Sequence, residues 1–132
     1  MPAAPVILYI HGFNSSPASH KARILVARME ALGLGDRVRV PALSDRPERA
    51  IVQLEAEVER LLPGGLALVG SSLGGYYATW LAERYGLRAV LVNPAVRPYQ
   101  LLADYLGPQQ NLYTGERYEL VAEHITALRA LE

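Results

Sequence analysis

Gly70-Ser71-Ser72-Leu73-Gly74-Gly75 sets one serine hydroxyl in the register Gly-x-Ser-x-Gly, with Ser72 between Gly70 and Gly74 and Ser71 out of step. The apolar run Leu66-Ala67-Leu68-Val69 precedes it, and Tyr76-Tyr77-Ala78-Thr79-Trp80-Leu81-Ala82, spaced as a helix, follows. Strand, tight turn and helix are the setting of a nucleophile elbow, whose chemistry is acyl transfer through a serine ester. Such a turn forces the serine into a strained backbone conformation, and the flanking glycines let backbone pass where a Cβ would clash. The hydroxyl then stands at a helix N-terminus, where outward N–H groups favour developing negative charge. The same string also suits a plain Gly/Ser turn that caps a helix. A second signal lies at His11-Gly12-Phe13. An oxyanion needs two donors. The residue after the serine, Leu73, offers one backbone N–H, and the loop after an earlier strand offers the other, for which Phe13 is the candidate. Gly12 is expected to turn that amide inward. Alone, His11-Gly12 reads equally as an ordinary strand-to-loop turn.

These residues need a scaffold, and the rest of the chain supplies its pattern. Val6-Ile7-Leu8-Tyr9-Ile10 is a continuous β-rich run that reads as a strand buried on both faces. A loop to Pro17 and an amphipathic helix over 18–32, stopped by Gly33 and Gly35, follow. Val38, Val40 and Ala42-Leu43 read as a short second strand. Ser44-Asp45-Arg46-Pro47 is a helix-start signal. Ile51, Leu54, Val58, Leu61 and Leu62 then mark one face of a helix that ends at Pro63-Gly64-Gly65. After the elbow helix, Gly86 is a stop and Ala89-Val90-Leu91-Val92 a fourth strand. Tyr99 to Leu106 reads as a short helix, 109–117 as polar turn, and 117–131 as a last amphipathic helix. Alternating strands and helices argue for a parallel sheet with helices on both faces, and for reactive groups beyond the carboxyl ends of the strands. His11 to Ser16, Ser44-Asp45, Ser71-Ser72 and Asn93-Pro94 all fall there.

Composition narrows the chemistry. The chain has 132 residues, 51% hydrophobic, which suits one domain, residues 1–132, with a real core. Thirteen basic and thirteen acidic residues balance, so nothing in the charge points to nucleic acid or an anionic membrane. There is no cysteine, which excludes disulfides, thiol catalysis and thiolate metal sites. Three scattered histidines show no metal-ligand spacing, and no cofactor is expected. No phosphate-loop Gly-Lys-Ser/Thr follows the elbow. No apolar run reaches membrane-spanning length, and Met1-Pro2-Ala3-Ala4-Pro5 lacks a basic leader, so a cytoplasmic location is expected.

Three strings carry a resemblance: His11-Gly12-Phe13-Asn14-Ser15-Ser16-Pro17, Val69 through Trp80, and Val92-Asn93-Pro94-Ala95-Val96-Arg97-Pro98. Together they look like the YqiA (UPF0227) family of small bacterial α/β-hydrolase esterases. The similarity continues through Leu102 to Gly107 and Tyr113-Thr114-Gly115. It implies an α/β-hydrolase fold, here reaching about four strands, and esterase activity with Ser72 as nucleophile. His11, Gly12, Gly70 and Gly74 are then supporting residues. In that family the catalytic Asp and His come late in the chain, and this sequence ends before the strings that carry them; it resembles the N-terminal two-thirds.

Residues within the chain offer one substitute. Asp104 and His124 follow Ser72 in the order Ser-Asp-His, but order is the least diagnostic feature of a triad. His124 also lies on an apolar helical stripe, where a packed structural histidine is the commoner role. His11 reads as a loop-orienting residue, and His20 as a solvated one. Two functions stand: a serine carboxylic-ester hydrolase acting on a small ester but idle in this chain, or a non-catalytic α/β module that binds a small acyl or carboxylate ligand or a protein partner. The run 89–92 is expected to be an exposed apolar edge, open to pairing with another copy.

Overall fold

The computed structural model describes residues 5–132. Strands β1 (Val6–Ile10), β2 (Val38–Arg39), β3 (Leu66–Ser71) and β4 (Arg88–Val92) form one parallel sheet in the order β2-β1-β3-β4. The two central strands are the most apolar because both their faces are covered; Leu8, Ile10 and Leu68 are fully buried. Their register fixes the site. Ile10 pairs with Gly70 across β1 and β3, and Ser71 pairs with Val92 across β3 and β4. From β1 the chain runs outward to β2, and from β3 it runs the other way to β4. The loops after β1 and β3 therefore leave the sheet side by side at its topological switch point.

Helix α1 (His20–Ala31) follows β1, α2 (Pro47–Leu61) follows β2, and α3 (Leu73–Tyr85) follows β3. Right-handed crossovers place α1 on one face and α2 with α3 on the other. Contacts between α2 and α3 agree: the Tyr85 hydroxyl donates to Glu59 at 3.3 Å, and Arg84 lies 3.6 Å from Glu55. Ala50, Leu54 and Val58 of α2 and Ala78 and Leu81 of α3 seal that face. The starts and stops follow their chemistry. The Ser19 hydroxyl accepts the Ala22 N–H, Pro47 opens α2, and Gly86, at φ 66°, turns the chain out of α3.

Strand β2 is shorter than the sequence suggests. Only Val38 and Arg39 pair with β1. Pro41 has no N–H to give, and the Leu43 N–H is taken by His11 at 3.0 Å. The larger departure comes late. After α4 (Pro98–Leu101) and a 3-10 turn over Leu102–Tyr105, β5 (Gly107–Gln110) and β6 (Arg117–Leu120) form a separate antiparallel hairpin. The last helix, α5, starts only at Ala122 and ends at Arg129. The expected turn over 109–117 and helix from 117 are thus a hairpin with a tight tip. Asn111 builds that tip, its side-chain oxygen accepting the Tyr113 and Thr114 N–H groups at 2.9 and 3.0 Å. Helix α5 packs on α2 and α4, and the Tyr76 hydroxyl donates to its Leu128 carbonyl at 2.7 Å. Strand β4 is an outer strand of the sheet with Arg88 through Leu91 exposed, Val90 at 61%.

Candidate active site

Ser72 sits between the end of β3 and the first residue of α3 with φ 57° and ψ −119°. A non-glycine residue there bears strain of roughly 1–3 kcal/mol and needs its surroundings to hold it. Three backbone hydrogen bonds do so. The Ser72 N–H donates to Val92 O at 3.0 Å, and its carbonyl accepts Gly75 N–H at 3.0 Å and Ala95 N–H at 2.8 Å. The side chain makes no capping bond to α3 and is exposed. Close approach explains the glycines on either side. A Cβ on Gly74 would fall on the Ile10 carbonyl oxygen, and one on Gly70 would meet the Gly74 carbonyl. Neither has a positive φ, so the missing side chain, rather than conformational freedom, is what the elbow needs.

Gly12 follows the same logic. A Cβ there would stand 3.0 Å from both Ser72 Cβ and Ser71 O, and 3.5 Å from Leu73 N. The loop after β1 is pressed directly against the elbow, and its φ is ordinary: Gly12 is required by contact and not by an inward twist. The Leu73 N–H, first of α3, has no acceptor inside the helix. It and Phe13 line one small cleft of about 50 Å³.

His11 holds this loop in place. It is 6% exposed and bridges two loops. The Leu43 N–H can only donate, so Nε2 accepts it, and Nδ1 therefore carries the proton and donates to Gly12 O at 3.1 Å. Burial pushes the imidazole below its ordinary value against the raising effect of the Gly12 carbonyl, which keeps it neutral. His11 thus ties the loop after β1 to the loop after β2.

The β5–β6 hairpin clasps the same loop from the other side. The Tyr118 hydroxyl donates to Asn14 Oδ1, and Asn14 Nδ2 donates to Gln109 at 3.3 Å. Asn111 Nδ2 donates to Ser15 O at 2.7 Å, and Phe13 meets Tyr118 edge to face, 6.5 Å between centroids. Asn14 itself is left-handed at φ 53°, a conformation asparagine tolerates. Tyr118 and Glu116 from the hairpin, Asp45 from the loop before α2, and Tyr77 from α3 complete the cleft. Burial, then Asp45 and Glu116, push the Tyr118 phenol up to about 12. Burial first, then Glu48 and Tyr76, raise Tyr77. Both phenols stay protonated at neutral pH. Sequence reasoning missed this wall because it read 109–117 as turn and 117–131 as helix; the alternation of Tyr118 and Leu120 inward with Glu119 outward is too short to decide against a helical stripe.

The other singled-out residues lie elsewhere. Asp104 is exposed on the 3-10 turn after α4, and neither it nor His124 lines the cleft. His124 is 5% exposed in the first turn of α5, its Nδ1 accepting Val121 N–H at 3.3 Å. Among the described residues no hydrogen bond joins Asp104 or His124 to Ser72, so the internal Ser72-Asp104-His124 order is not matched by geometry. His20 is exposed on a separate groove beside Ser71. Asp45 is not the cap of α2, a position held by Arg46. Among the described residues, no three His, Cys, Asp or Glu side chains gather as a metal site, and no helix is long and apolar enough to cross a membrane.

A family model described as "Uncharacterised protein family (UPF0227)" matches residues 6–132. The chain belongs to UPF0227. A UPF0227 protein of Shewanella sediminis (strain HAW-EB3) is 32% identical over 102 residues, covering 72% of this chain and 54% of that protein. The UPF0227 chain spans about half the length of the curated relatives it matches. Two solved structures share its fold. One is from Agrobacterium vitis S4, provisionally described as a hydrolase, with TM-score 0.72 at 20% identity over 97% of this chain and 61% of that one. The other is Est1E from Butyrivibrio proteoclasticus, solved with ferulic acid bound, with TM-score 0.65 at 12% identity over 100% of this chain and 63% of that one. At these identities the likeness establishes the fold: a parallel α/β sheet of the α/β-hydrolase type.

Proposed function

We propose that this UPF0227 chain carries the nucleophile and oxyanion hole of a serine carboxylic-ester hydrolase. The observation that supports it most is the close approach of Gly12, the residue before Phe13, to Ser72 Cβ and Leu73 N, at a serine that is strained and exposed. In this reading Ser72 Oγ attacks the ester carbonyl carbon and its proton passes to a base. The carbonyl oxygen becomes an oxyanion facing the Phe13 and Leu73 N–H groups. The C–O bond to the alcohol then breaks, the alcohol leaves with a proton, and water releases the acid from the acyl-serine.

The base is assigned to the late His, with its Asp, that the family resemblance implies, because no histidine described here is placed to serve Ser72. His11 is held neutral with both ring nitrogens engaged, His124 is tied to its own helix start, and His20 lies on another groove. The 132-residue chain by itself is therefore a weak esterase. Dismantled triads elsewhere keep roughly 10³–10⁴-fold over water through the oxyanion hole and binding alone. The test is release of p-nitrophenol from a short-chain p-nitrophenyl ester by this chain, by Ser72→Ala, and by a full-length relative. Slow release here, fast release by the relative and loss in each Ser72 variant support the reading; rates unaffected by Ser72→Ala sink it.

That among the described residues no histidine hydrogen-bonds Ser72 favours one alternative, in which the same loops bind a small acyl or carboxylate ligand, or a protein partner, without turnover. Saturable binding with no acylation of the full-length relative would select it.

A further inference from the structure

We propose that Asn14 is a positioning residue for the chemistry at Ser72: gripped by the cross-strand pair Gln109 and Tyr118 of the hairpin, it fixes the direction of the Phe13 N–H. This deepens the esterase reading and rests on it for the role of that N–H as an oxyanion donor. The grip itself stands on hydrogen bonds alone.

The Phe13 N–H has no acceptor among the described residues, so no bond of its own sets where it points. It shares a rigid peptide plane with the Gly12 carbonyl and points opposite to it. Whatever holds Gly12 O therefore aims the Phe13 N–H. Two donors do so: His11 Nδ1 at 3.1 Å and the Ser15 N–H at 3.3 Å. The second bond closes a four-residue turn with Asn14 in its third place. A left-handed third residue, here at φ 53°, is what such a turn asks for, and asparagine accepts it. Asn14 thus brings the Ser15 N–H back onto Gly12 O.

The hairpin supplies the rest. Gln109 and Tyr118 are direct partners across β5 and β6, and their side chains close on the Asn14 amide from both sides. The order of donors along this chain of bonds is fixed. The Tyr105 carbonyl can only accept, so Gln109 turns Nε2 to it, at 2.7 Å, and its oxygen to Asn14 Nδ2, at 3.3 Å. Asn14 then has Oδ1 left for Tyr118, whose hydroxyl donates. Reversing any one amide would break a bond at each end. The hairpin tip adds two bonds to the same backbone: the Leu112 N–H donates to Asn14 O at 3.3 Å, and Asn111 Nδ2 to Ser15 O at 2.7 Å. The path from hairpin to oxyanion donor is continuous: Gln109 and Tyr118 hold Asn14, Asn14 places the Ser15 N–H, and Gly12 O carries that placement to Phe13.

The test is fluorophosphonate labelling of this chain, in which Ser72 Oγ displaces fluoride from phosphorus, its proton passes to solvent, and the phosphoryl oxygen takes the oxyanion position. Saturation kinetics separate reversible binding of the reagent from the labelling step. Asn14→Gly still permits the left-handed backbone but removes both side-chain bonds, and Tyr118→Phe removes one of them from the other partner. Each is expected to slow the labelling step by about 10-fold, a part of the 10²–10³ that losing a whole oxyanion donor costs, with binding changed by less than about 2-fold. The double variant should be no slower than Asn14→Gly, because both substitutions cut the same chain of bonds. A merely structural role would lower stability without this split, so rates are compared at a temperature where far-UV circular dichroism shows each variant folded. An unchanged labelling step, or a change confined to binding, overturns the inference; if Asn14→Gly does not fold, Tyr118→Phe decides. The Phe13 amide resonance in Tyr118→Phe is read separately and should shift more than the amides of the sheet. A Phe13 amide that does not move overturns the positioning whether or not the chain is labelled. A shifted Phe13 amide in a chain that is never labelled at Ser72 leaves the positioning intact and counts against the esterase reading alone.

Discussion

Gly12 and Ser72 touch: a Cβ on Gly12 would stand 3.0 Å from the Ser72 Cβ. Residues 60 positions apart in sequence meet because Ile10 pairs with Gly70 at the carboxyl ends of adjacent central strands. At that distance a side chain on Gly12 fits only if the elbow or the loop that carries Phe13 gives by a few tenths of an ångström.

Gly12→Ala should therefore displace the Phe13 amide while leaving the sheet intact. Acylation of Ser72 by a fluorophosphonate is expected to slow by about 10²–10³, the usual cost of losing one oxyanion donor. Stability should change little by comparison, because the loop lies at the rim. An unchanged labelling rate would remove the loop after β1 from the site.

The neutral, doubly engaged His11 makes stability depend on pH. Its native value lies below the ordinary 6.5, so as pH falls through 6.5 the unfolded chain takes up a proton before the folded one does. Unfolding free energy should thus fall with decreasing pH from about 6.5 until the lowered native value is reached. Urea titrations at pH 7.5 and 5.5 check this. In His11→Gln the part of the slope due to this group disappears, although the variant is less stable at both pH values.

Tyr118→Phe keeps the edge-to-face contact with Phe13 and removes the bond to Asn14. The expected loss is about 1 kcal/mol, the typical net worth of one hydrogen bond. Hydrogen exchange should show faster protection loss at residues 13–16 than in the sheet. Uniform destabilisation without that local signature would mean the hairpin does not hold the loop.

Much of this site was legible in the sequence, for a physical reason. Val6 to Ile10 and Leu66 to Val69 are buried on one face and at least half-buried on the other, so their continuous apolar runs announce strands, and the glycine spacing then selects Ser72 over Ser71. The hairpin was not legible. Gly107-Pro108-Gln109-Gln110 is polar and exposed at alternate positions, and no residue in it has strand preference. In β6, Leu120 belongs equally well to a helical stripe with His124 and Leu128, and nothing local decides between the two periods. Gly12 was legible as a requirement, but its reason was not: a glycine that gives way to a neighbour looks the same in sequence as one that turns the chain.

The bare outer strand gives a fourth expectation. Val90 is 61% exposed and Leu91 40%, on a strand with unpaired backbone groups along one side. Val90→Lys places a charge on that edge and should reduce self-association, read by light scattering over a concentration series. Unchanged scattering would show that the edge plays no part in association.

The central claim is that Ser72 is the nucleophile of this fold, and locating a covalent adduct tests it most directly. After reaction with a fluorophosphonate, peptide mapping by mass spectrometry should find the label on Ser72, with none on the adjacent Ser71 and none in Ser72→Ala. Label on Ser71 or another residue, or equal labelling of the Ser72→Ala chain, would contradict it.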